Sequence, residues 1–140
     1  MLYGGTITVL TTHTKAAPLE TVFKLTHGII TRVLFYPRPG QKAMCHAKVL
    51  YWEHQIFPTD PEQDLHGDAN PIIWDEWYEL YKFPFEVTVV AWNDSTTYDH
   101  TFDIWFAVMP IESTVSYALS KALGAFIGMV QPKIIPVESD

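Results

Sequence analysis

The sequence predicts an all-β fold, a jelly-roll-like antiparallel β-sandwich with one C-terminal helix. Three observations carry that expectation. Six or seven short runs alternate apolar and polar residues, the period of two that a half-buried strand requires; Pro and Gly turns punctuate them at regular spacing; and one late segment alone switches to helical periodicity. An immunoglobulin-type sandwich fits less well, because its paired cysteines cannot exist in a chain whose one cysteine is Cys45.

Residues 1–18 read as an N-terminal arm or edge strand, since Ile7, Val9 and Leu10 stand among β-branched threonines ahead of a linker ending at Pro18. Residues 19–110 read as the sandwich. Thr21–Thr26 is its first secure strand, with Phe23 and Leu25 facing together. Ile29–Tyr36 is the second, stopped by Pro37-Arg38-Pro39-Gly40, where the prolines lack amide donors. Lys42–Ile56 alternates throughout, with Ala43, Cys45, Ala47, Val49 and Tyr51 on one side, and is expected as one long strand that bends near Glu53-His54. Residues 57–70 form the one long irregular loop. Ile72–Tyr81 is expected as a strand because Pro84 stops a helix from running on, although Trp74, Tyr78 and Tyr81 would also share a helical face. Phe85–Pro110 gives the clearest pattern. Val87, Val89 and Ala91 share one face of its first arm; Phe102, Ile104, Phe106 and Val108 share one face of its second; the polar Asn93–Thr97 joins them, and the whole reads as a hairpin.

Residues 111–140 read as a helix and tail. Ser113 or Thr114 can cap the helix, Leu119, Leu123, Phe126, Ile127 and Val130 form an apolar stripe, and Pro132 stops it. Ser116, Ser120, Gly124 and Gly128 recur every four residues, a row of small side chains that lets another backbone approach. That row suits packing on the chain's own sheet, on a neighbouring copy, or against a membrane surface.

Composition narrows the function classes. With 48% hydrophobic, 14% aromatic and 18% charged residues, against about 25% charged in an average domain, the 140-residue chain suits a well-buried β protein, or one that also buries surface against neighbours. Its net charge of -7 and scattered basic residues argue against direct binding of nucleic acid. One cysteine permits neither an intrachain disulfide nor a cysteine-based zinc site. The N-terminus lacks the basic start and apolar run of a secretory signal, and no 18-residue uncharged apolar window occurs, so neither signal-dependent export nor a membrane span is expected.

The candidate chemistry is sparse. Asp60, Glu62, Asp64 and Asp68 could together wrap a calcium ion, but Gly67 and Pro71 occupy the wrong positions for an EF-hand, and a solvated loop is the simpler reading. No His-x-His pair of the cupin kind is present, and His46 and His54 on one continuous strand would stand about 26 Å apart. Cys45 and His46 are adjacent on a strand and so point to opposite faces. Ser95, Asp99 and His100 share a polar turn without a nucleophile elbow. These observations predict no enzyme and no cofactor. Trp92 and Trp105 lie opposite the more continuous apolar rows; if those faces point outward, they are a protein interface or, as the alternative, a platform for sugars.

The runs Thr26-His27-Gly28-Ile29-Ile30, Phe35-Tyr36-Pro37, His54-Gln55-Ile56-Phe57-Pro58, Ala91-Trp92-Asn93 and Tyr98-Asp99-His100-Thr101 resemble, in order and turn placement over residues 20–110, small single jelly-roll proteins of viral shells. The likeness is to the vertical single-barrel capsid proteins of tailless membrane-containing phages and archaeal viruses. It implies a non-enzymatic coat or shell subunit made in the host cytoplasm and located in the virion, present in many copies, whose terminal segments reach other shell proteins.

Overall fold

The computed structural model of the chain describes residues 1–111, 119 and 121–126. Eight strands follow in order: β1 (Leu2–Val9), β2 (Leu19–Lys24), β3 (Gly28–Pro37), β4 (Cys45–Tyr51), β5 (His54–Phe57), β6 (Ile72–Glu79), β7 (Glu86–Asn93) and β8 (His100–Pro110). They make two four-stranded antiparallel sheets, ordered β1-β8-β3-β6 and β2-β7-β4-β5. Of the consecutive pairs, only β4 and β5 share a sheet. The chain therefore winds back and forth between the two sheets of a β-sandwich.

The apolar rows legible in the sequence are the core. Val87, Val89 and Ala91 of β7 and Phe102, Ile104, Phe106 and Val108 of β8 are sealed from solvent, as are Cys45, Ala47, Val49 and Tyr51 of β4. A bulge between Ile30 and Arg32 re-phases β3, so that Val33 and Phe35 point inward while Arg32, Leu34 and Tyr36 point out.

The structure corrects two expectations. First, Phe85–Pro110 is not a hairpin. β7 pairs with β2 and β4, β8 pairs with β1 and β3, and the two face each other across the core. An alternating pattern tells which face of a strand is buried and says nothing about its neighbour. The link between them crosses from sheet to sheet and is fixed by buried Asn93, whose amide donates to Val9 O and Tyr98 O while its carbonyl accepts from Ser95 N–H. Second, Lys42–Ile56 is two strands. Trp52 and Glu53 both take left-handed φ values, 51° and 68°, and make a two-residue turn that returns the chain as β5. No Gly or Asn announces this turn; it is held from outside, by Trp52 Nε1 donating to Lys82 O (3.1 Å) and Lys82 Nζ lying 4.3 Å over the Trp52 ring. Of the two readings of residues 1–18, the edge strand is the one observed: β1 pairs with β8 in register from Leu2↔Ala107 to Val9↔His100. Gly4 allows that approach: its φ is +150°, and a Cβ there would meet Ile104 O at 2.1 Å.

Beyond β8, residues 119 and 121–126 are helical and every one is exposed, including Leu119 (57%), Leu123 (48%) and Phe126 (61%). Gly124 has nothing within 4 Å of where a Cβ would stand. The described part of the helix does not pack on its own sheet; Ser116, Ser120 and Gly128 lie outside the described residues. No helix among the described residues is long and apolar enough to cross a membrane.

Candidate contact surface and an imidazole–carboxylate cluster

The two outer faces of the sandwich differ. On the β1-β8-β3-β6 sheet, the strand registers align two rows across all four strands: Gly4, Trp105, Leu34 and Ile73 in one, Leu2, Ala107, Arg32 and Asp75 in the next. Side chains of these rows line an apolar hollow of about 280 Å³, formed by Leu2, Leu34, Ile73, Trp105 and Ala107 with Arg32 at its side. Leu2 is 65% and Ile73 52% exposed, and Trp77 on the same edge strand is 64% exposed. The only charged pair in the two rows, Arg32 Nε to Asp75 Oδ1 at 2.7 Å, sits at one end. A contiguous apolar patch of this kind on a sheet face is a surface that water covers at a cost. The expected outward position of Trp105 is thus observed, half-buried within that patch.

Trp92 is different, and its expected part in a contact surface is corrected. It does lie on the outer side of its sheet, but only 4% of it is exposed. The His46 ring stacks on it (5.3 Å, 9° between planes), and Lys15 and Lys48 bring their ammonium groups to 5.7 and 5.9 Å from its ring. The residue 10–18 loop is tied down beside it by Asn93 N–H donating to His13 O. Cation–π contact and two lysine stems cover the indole.

Beside Trp92 the structure assembles a cluster that sequence spacing does not reveal. β5 pairs only with the Val49–Tyr51 end of β4, which leaves the Cys45–Ala47 end open on that side. Leu65 fills the gap with an antiparallel bridge to Ala47, Leu65 N–H to Ala47 O at 2.8 Å and Ala47 N–H to Leu65 O at 2.9 Å. Leu65 and Ala47 are both buried, so alternation turns Asp64 and His66 outward onto the face carrying His46. His46 Nδ1 lies 2.6 Å and His66 Nδ1 2.8 Å from the same Asp64 oxygen, while His46 Nε2 lies 2.9 Å from Asp94 Oδ2. Burial pushes the Asp64 carboxyl up, but the hydrogen bonds from the two imidazoles outweigh it and hold Asp64 below the usual carboxylate range.

The four acidic candidates of the loop do not converge. Asp60 accepts from Glu62 N–H, Asp68 accepts from Gly40 and Gln41 N–H, and only Asp64 joins the histidines. Among the described residues, His46, Asp64 and His66 are the one group of ligand-type side chains whose donor atoms fall within 4.8 Å of one another. The signal for it was Asp64-Leu65-His66, two ligand types one residue apart; its partner 18 residues earlier depends on a single bridge. The remaining nucleophile candidates are occupied structurally. Burial pushes the Cys45 thiol up to about 12, and Ser95 Oγ accepts from Thr97 and Tyr98 N–H. Asp99 accepts from Thr11 N–H.

The sequence matches no protein-family model, and no curated protein matches it either.

Proposed function

We propose that the chain is a self-assembling structural subunit of a virion shell, a capsid, coat or decoration protein that works through contacts between copies and with other shell proteins, without catalysis. The observation that carries this reading is the apolar hollow on the β1-β8-β3-β6 sheet, where Leu2, Leu34, Ile73 and Ala107 surround Trp105 with Arg32 at the side. Such a face is what a sheet-to-neighbour contact uses. The eight-strand winding is an architecture that viral shells employ, and the exposed Leu119, Leu123 and Phe126 give the C-terminal segment an apolar surface of its own to offer a neighbour. The shell of the virion is the proposed location.

A sugar-binding module on the same architecture is the competing class. Sugar sites place polar groups around an aromatic plane; here the nearby Arg32 and Asp103 are engaged in ion pairs with Asp75 and Arg38, and Trp92 is covered, which favours the assembly reading. Sedimentation velocity over a concentration series, with electron microscopy of the concentrated protein, tests it: concentration-dependent association into closed or extended assemblies is expected. A monomer at every concentration, combined with glycan-array binding that Trp105→Ala abolishes, would replace the assembly reading with the sugar reader.

A further inference from the structure

We infer that His46, Asp64 and His66 form a binding site for a divalent transition ion of the zinc class, which pins the loop of residues 58–70 to the edge of β4. The donor set points to the ion. Two imidazole nitrogens and one carboxylate oxygen suit zinc, cobalt, nickel or ferrous iron, whereas calcium and magnesium call for an all-oxygen set. The three donor atoms already face one another, since both Nδ1 atoms lie on a single Asp64 oxygen. Ligand atoms around a tetrahedral zinc stand about 3.4 Å apart, as metal distances of about 2.0–2.2 Å require, so separations of 2.6 and 2.8 Å need to open by less than an ångström.

A second observation is independent of the ligand triangle. Metal-bound histidines donate their other ring nitrogen to a carboxylate, which fixes tautomer and orientation. His46 is built that way: its Nε2 faces Asp94 Oδ2 at 2.9 Å, and its ring plane is clamped against Trp92. With the Nε2 proton directed to Asp94, Nδ1 becomes the ligand atom when the incoming ion displaces the proton it shares with Asp64. The His66 side chain is 45% exposed, so the ion has a path from solvent and a fourth position for water. The charge balance is also favourable, one carboxylate in the triangle and a second behind His46.

The full-length chain, stripped with a chelator and titrated with Co²⁺ and with Zn²⁺, tests the inference. We expect uptake of one equivalent, visible ligand-field bands from cobalt that zinc displaces and calcium does not, and a rise in the thermal midpoint with zinc concentration. His66→Ala and Asp64→Asn should abolish the cobalt bands. Asp94→Asn should weaken binding about 10- to 100-fold by loosening His46. Asp60→Asn and Glu62→Gln should leave affinity unchanged. Absence of stoichiometric cobalt or zinc uptake by the unmodified chain overturns the site, as does full affinity in folded His66→Ala, or His66→Gln if the alanine variant does not fold. None of these outcomes depends on whether copies assemble.

Discussion

Replacing Leu2 and Ile73 together by serine should weaken self-association about a thousandfold while leaving the fold intact. Both side chains border the hollow beside Trp105, with Leu2 65% and Ile73 52% exposed. Fully burying a leucine or isoleucine side chain stabilises by about 1.5–3 kcal/mol, so covering the exposed fraction of each contributes roughly 1 kcal/mol. A two-fold contact uses the same patch on both copies, which doubles the loss to about 4 kcal/mol, close to three decades in the association constant. Neither residue belongs to the buried core, so the urea midpoint should barely move. Sedimentation equilibrium of the two proteins over the same concentrations gives the ratio directly. A double variant that associates as tightly as the parent, with circular dichroism showing it folded, would refute the assignment of this face.

Further outcomes follow from single residues. Glu53→Gly should stabilise by about 0.5–1 kcal/mol in urea titrations, since it relieves the roughly 1–2 kcal/mol cost of a left-handed L-residue and gives back part of that in unfolded-chain entropy. Tyr51→Phe should cost about 2 kcal/mol, because the buried hydroxyl both donates to Lys82 O (2.5 Å) and accepts from Lys82 N–H (2.9 Å). Acidification should destabilise the fold. At Asp103 burial pushes the carboxyl up, but the bonds from Arg38 and Thr6 hold it below its ordinary value, as the imidazoles do at Asp64. Groups lowered in the folded state contribute stability that is present above their unfolded values near 4 and is lost as pH falls through the folded ones. Unfolding free energies measured downward from neutral pH should therefore fall below about pH 4, and Asp103→Asn should flatten part of that slope.

The buried faces were legible because alternation is a local property, and Val87, Val89, Ala91, Phe102, Ile104 and Phe106 each stand where the period of two puts them. Partnership was not. Nothing within β7 or β8 distinguishes a strand that pairs with its successor from one that faces it across a core. The Trp52-Glu53 turn was hidden for a related reason, since its left-handed residues are held by Lys82, some thirty positions away. The covering of Trp92 depends on Lys15 and Lys48, and the imidazole–carboxylate cluster on the Ala47–Leu65 bridge. All of these are products of the tertiary fold. Trp105, whose setting depends on the alternation of β8 and its immediate neighbours, was placed correctly from the sequence.

The pairing of the first strand with the last sets the order in which the protein can be made. The partner residues of β1, His100–Ala107, are synthesised about a hundred positions after it. Until then Leu2, Ile7 and Val9 have no strand to lie against, and closing a loop of that length costs about 4 kcal/mol of chain entropy before any pairing repays it. The β1-β8-β3-β6 sheet, whose outer side carries the apolar hollow, therefore comes together only after β8 has been made. Until β8 has been made and has joined β1, the hollow beside Trp105 lacks two of its walls, so a chain that stops short of β8 cannot present this face.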